Sequence, residues 1–123
     1  MDINQKSGPK VGENSKLWIA KVLAGVLIIF VLGLHLYINH LVAPGGLLSW
    51  QDVVLYYQNP VVPILEGLFL FLVLGHAALG VRSITLDLNL SPRKQSIIDW
   101  IIIVVTVTFL AYGLWVLINV ALL

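Results

Sequence analysis

Cysteine is absent from this chain of 123 residues. Its absence excludes disulfides, thiolate zinc sites and iron-sulfur clusters ligated by this polypeptide. Any metal must rest on histidine or carboxylate. Charge is scarce as well, at 11% of residues against 59% hydrophobic, with a mean hydropathy of +0.98. Globular domains carry about 25% charged and roughly 45 to 50% apolar residues, so the expected solvent is a bilayer. The net charge of +1 gives no surplus of either sign that would point to nucleic acid as a partner.

What is present divides into three apolar runs. Val22 to Gln51, Gly67 to Val81 and Trp100 to Leu123 contain no Asp, Glu, Lys or Arg. Each is embedded in a stretch long enough for a span of about 20 residues. The expected fold is all-α and integral to the membrane, with spans at about 16–41, 61–86 and 92–120. Residues 1–15 read as a polar cytoplasmic tail and 16–123 as one membrane domain. The first run exceeds the roughly 7 to 15 residues of a signal-peptide core, so it is expected to be retained. Without an arginine-rich, acid-poor leader, a prokaryotic cell membrane is the expected location.

Breakers set the joints. Span one should stop at Ala43-Pro-Gly-Gly46. Ser49-Trp-Gln-Asp52 has capping-box spacing and predicts a short interfacial helix ending before Asn59-Pro60. Pro63 fits the first turn of span two, and Ser91-Pro92 predicts the N-cap and first residue of span three.

All seven Lys and Arg residues fall on one side of this layout: Lys6, Lys10, Lys16 and Lys21 around the start of span one, Arg82, Arg93 and Lys94 around the second connection. The positive-inside bias therefore predicts a cytoplasmic N-terminus and an external C-terminus. Trp18 and Trp100 at one interface and Tyr37, Trp50, Tyr56, Tyr57, Tyr112 and Trp115 towards the other agree with it.

His76 lies deep in span two. An imidazole there is costly unless it coordinates, pairs or relays, and the residues alone leave all three open. His76, Gly80, Ser83 and Asp87 step by four, three and four residues and share one stripe. Gly75, Ala77, Ala78 and Gly80 thin the surface around the ring, which allows close approach of a second helix or a flat macrocycle.

The pattern His76-x-x-x-Gly80-x-Arg82-x-x-x-x-Asp87 at the inner end of the second of three helices resembles the membrane anchor subunits of succinate dehydrogenase (succinate:quinone oxidoreductase). Lys21-Val-Leu-Ala-Gly-Val26 is similar to the basic, small-residue opening of the first helix in that family, where Arg is usual at Lys21. Cytochrome b anchors commonly have His where this chain has Ser83. The smaller hydrophobic anchors often lack the Arg and have Tyr where this chain has Leu88. The chain is read as the smaller type.

The resemblance implies that His76 is an axial ligand of haem b, that Arg82 and Lys21 lie near its propionates, and that Ser83, Asp87 and Arg82 help form a quinone site. It also implies a flavoprotein subunit, an iron-sulfur subunit and a second anchor as partners, with succinate oxidation outside this chain. His35 lies on span one at the depth of an outer haem in some relatives, which would make a second iron ligand; an interhelical hydrogen bond is the alternative. At about 1.5 Å rise per residue His35 and His76 lie too far apart in depth to share one iron, so the sixth ligand of any iron on His76 must come from another polypeptide. His40 reads as interfacial. Glu66 reads as reaching the headgroups, with a favourable place near a helix N-terminus.

Two other classes fit the same residues. One is a small non-haem subunit of a transport or respiratory assembly, with His76 relaying protons and Arg82 and Asp87 as a gate. The other is a scaffold with no redox role.

Overall fold

The computed structural model describes residues 13–123; Lys6, Lys10 and most of the expected tail lie outside the described residues. Helix α1 spans Ser15–Leu36 and continues through wider π-type turns over Tyr37–Val42. A single tight turn at Pro44–Gly46 reverses the chain. Helices α2 (Trp50–Tyr57), α3 (Val61–Asp87) and α4 (Pro92–Ala121) follow. No strand occurs among the described residues. Three helical stretches, Ser15–Val42, Val61–Asp87 and Pro92–Ala121, are long and apolar enough to cross a membrane.

Local chemistry places the ends. Asn14 caps α1 by accepting the Lys16 amide at 2.9 Å, a start signal that the run of apolar residues does not reveal. Gly45 and Gly46 take φ of 74° and 77° in the reversal, a conformation that costs glycine little and other residues more. At α2 the expected capping box is present: Ser49 Oγ accepts from the Asp52 amide at 3.2 Å, and the Asp52 carboxylate accepts from the Ser49 amide at 2.8 Å. Ser91 precedes Pro92 at the start of α4, yet its side chain makes no capping bond. Only its carbonyl is used, accepting from Gln95 N at 3.0 Å.

Helix α3 is the middle element. Helices α1 and α4 each pack along it and not on one another, and α2 lies across α3 and α4. Gly113 lets α4 come close, since a Cβ there would stand 2.5 Å from Leu70 Cδ2. Apart from Ala43, Val62 and Leu72, the described apolar side chains keep exposed surface: Phe30 is 71% exposed and Ile29 70%. In water such an area would drive aggregation; in a bilayer it faces hydrocarbon or partner helices.

Candidate functional site

The centre of the site lies between α1 and α3. His76 Nδ1 stands 2.9 Å from the main-chain carbonyl oxygen of Lys21. A carbonyl only accepts, so Nδ1 carries the proton and donates, and in the neutral ring Nε2 keeps its lone pair. The ring packs over Gly25, one turn along α1 from Lys21, where a Cβ would stand 3.0 Å from His76 Cε1. The glycine that admits the ring is therefore Gly25 on α1. Gly75 and Gly80 beside His76 were expected to serve close packing, but a Cβ at either would meet nothing within 4 Å. This chain leaves that surface open.

One cluster seals the end of the same interface. Lys21 Nζ donates to Glu13 Oε1 at 2.8 Å and also to Ser83 Oγ, and Ser83 Oγ donates to Glu13 Oε1 at 2.7 Å. The Glu13 side chain is 4% exposed and that of Lys21 16%. Desolvated charges of this kind persist only when paired. Lys21 thus bridges α1 to α3 twice, through its carbonyl to His76 and through its ammonium to Ser83. Glu13, which sequence reasoning passed over, completes the set. Its position just before the helix gave no signal, because the pairing spans 70 residues.

Arg82 is not part of this group. Six residues at about 100° each leave it about 120° around α3 from His76, where its Nε meets Asp99 Oδ1 of α4 at 3.2 Å. Gln95 donates to the same carboxylate oxygen at 2.9 Å and to Thr85 Oγ1 at 3.0 Å. The structure therefore brings together His76, Lys21 and Ser83 and holds Arg82 apart from them. Asp87 is exposed in the last turn of α3.

At the other end of the bundle His35 Nδ1 lies 3.0 Å from Glu66 Oε1, with the Phe69 ring centroid 5.4 Å from its own. Glu66 was expected to reach the headgroups; instead it binds the imidazole of α1. The pair borders an open cavity of about 540 Å³ that α2 lines on one side, with Tyr57, Phe69, Tyr112 and Gly113 among its walls. Burial raises the Tyr57 phenol above its ordinary value, and the negative charge of Glu66 raises it further. His40, exposed near the end of the first span, contacts the Gly46 carbonyl through Nδ1 at 3.1 Å.

Among the described residues no three His, Asp or Glu side chains converge as a metal site. The donor chemistry of His76 nevertheless fits an axial haem ligand. Metal-bound imidazoles commonly donate their second N–H to a carbonyl or carboxylate, which fixes the ring and its tautomer, and the open surface at Gly75 and Gly80 leaves room for a flat group.

Three apolar helices, one deep imidazole with a committed Nδ1 and a desolvated ion pair at one end define an integral-membrane subunit built around a polar interhelical seam. The chain belongs to the succinate dehydrogenase/fumarate reductase transmembrane subunit family, whose sequence model matches residues 6–122. It is similar to the succinate dehydrogenase hydrophobic membrane anchor subunit of Archaeoglobus fulgidus, at 28% identity over 103 residues, covering 84% of this chain and 87% of that one. The subunit of the same name from Thermoplasma acidophilum is 24% identical over 94 residues, covering 76% of each. No solved structure matches the chain. The family expected from the His76-to-Asp87 pattern is the one matched, and both relatives bear the name of the smaller anchor type.

Proposed function

We propose that this chain is the hydrophobic membrane anchor of a succinate:quinone oxidoreductase and that His76 Nε2 is one axial ligand of a haem b shared with a second anchor subunit. The observation that carries the reading is the Nδ1 bond to the Lys21 carbonyl, which holds the ring in the tautomer that a ligand needs. Haem b, when bound, supplies a one-electron store between the iron-sulfur subunit and quinone.

The tasks of this chain's own residues follow from their chemistry. The Lys21 carbonyl keeps the proton on Nδ1 and raises the basicity of Nε2. Gly25 gives the ring its seat. The Glu13–Lys21–Ser83 cluster closes the seam on the side where the flavoprotein and iron-sulfur subunits would dock, the cytoplasmic side by the positive-inside bias. Ser83 and Asp87, on the stripe of His76, are the residues assigned to the quinone pocket. Succinate chemistry belongs to a flavin subunit.

The test is optical. His76→Ala in the purified complex is expected to remove the b-type Soret and α bands or shift them, and haem content per complex should fall. An unchanged spectrum and stoichiometry would reject the ligand role, and a wild-type complex without these bands would favour a proton-relay histidine. A stoichiometry of two haems in the wild type would add His35 as a second ligand.

A further inference from the structure

Among the described residues Arg82 has one charged partner, Asp99, which it meets through Nε. The same Asp99 oxygen is also taken by Gln95, and the two terminal nitrogens have no partner among the described residues. Beside them opens a groove of about 360 Å³ between α3 and α4, edged by Leu17 and lined by Leu79, Ile102, Ile103 and Val107. Apart from Arg82 and Asp99, Thr106 is its only polar lining residue. A charged fork over an apolar trough has the shape of a lipid's own division between head and tail.

We propose that this groove binds an anionic phospholipid, with the phosphate on the terminal nitrogens of Arg82 and one acyl chain along Leu79, Ile102, Ile103 and Val107. Depth fits. Arg82 lies five residues before the end of α3, about 7.5 Å by helical rise, so the guanidinium can reach the headgroup layer. Geometry fits also, since a guanidinium binds phosphate oxygens through paired N–H donors. Arg93 and Lys94, exposed in the first turn of α4, and Lys16, exposed at the start of α1, make this end of the bundle attractive to anionic headgroups. The Lys21 ammonium is unavailable, being held by Glu13 and Ser83. The groove lies on the α4 side of α3 and the His76 seam on the α1 side, so the lipid would occupy neither the proposed haem position nor the pocket assigned to Ser83.

The test uses the full chain in detergent and native mass spectrometry with added phosphatidylglycerol or phosphatidylcholine. Phosphatidylglycerol is expected to bind more tightly. Arg82→Gln should weaken it roughly fivefold, the effect of one headgroup-level cation, while Arg82→Lys, which keeps the charge but not the paired donors, should weaken it less. Ile103→Trp fills the trough with the charge untouched and should also expel the lipid. Equal binding of the two lipids, or unchanged binding in both Arg82→Gln and Ile103→Trp, would overturn the proposal. So would displacement of phosphatidylglycerol by a short-chain quinone, which makes the groove a quinone pocket, or by inorganic phosphate at equal concentration, which makes it a free-anion site. The readout involves neither haem nor quinone reduction, so its failure is separate from that of the His76 reading.

Discussion

The His76 ring donates from Nδ1 to the Lys21 carbonyl across 2.9 Å, and the ammonium of the same lysine binds Ser83, seven residues further along α3. One residue of α1 therefore fixes two levels of α3. The register of the two helices and the orientation of the imidazole are set together.

Gly25→Ala would place a methyl 3.0 Å from His76 Cε1. Crowding of this kind costs about 1 to 3 kcal/mol in a packed interior, and the ring must tilt from the Lys21 carbonyl. The expected outcome is a shifted haem spectrum with much of the haem retained, and Gly25→Leu should lose it. Absorbance spectra of the two purified variants check this.

Glu13→Ala strips a buried ammonium of its counter-charge. Breaking a buried pair by removing one partner costs about 3 to 5 kcal/mol, and both side chains are desolvated enough for that range to apply. A large fall in thermal midpoint is expected. The double variant Glu13→Leu with Lys21→Met should recover part of it, because the carboxylate and the ammonium that faces it are removed together. A full mutant cycle by thermal unfolding in detergent measures the coupling.

Glu66→Leu removes the acceptor of His35 Nδ1. A hydrogen bond to a charged partner contributes about 1.5 to 3 kcal/mol, and partial exposure of the pair, at 34% and 18%, places the loss near the lower end. The ends of α1 and α3 around His35 should separate while the His76 seam holds. Hydrogen exchange resolved by residue should show lost protection around His35 and none around Lys21.

The Asp52 carboxyl is held below its ordinary value of 3.8 by the Ser49 hydroxyl first and the Ser49 amide second. A depressed folded value means that the cap stabilises α2 fully above the unfolded value, and that this stability fades as pH falls through the lower, folded one. Protection of the amides of residues 50–57, corrected for intrinsic exchange, should hold above the ordinary carboxyl value of 3.8 and drop as pH falls below it. Asp52→Asn should flatten the dependence.

The spans and joints were legible because each is written locally. Apolar length marks a helix that crosses the membrane, paired glycines mark a reversal, and Ser49 with Asp52 marks a cap. His76 was legible as a deep imidazole, and Ser83 as its neighbour on the same stripe. Long-range pairing was not. Nothing near Glu13 indicates Ser83, and nothing near Glu66 indicates His35. The grouping of Arg82 with His76 came from the resemblance, yet six residues around a helix already separate them, and Asp99 supplies the partner that spacing could not name.

Because α1 and α4 each pack on α3 and not on one another, the three long helices stand in a row like palings in a fence. A fence has two broad sides, so another polypeptide can cover one of them while the other stays in lipid. Conservative exchanges among Leu, Ile and Val on a side bathed in lipid should pass unnoticed, whereas the same exchanges under a neighbouring polypeptide should loosen the assembly. A scan of that kind along Ile29, Phe30, Ile101 and Val104 would map which side is covered.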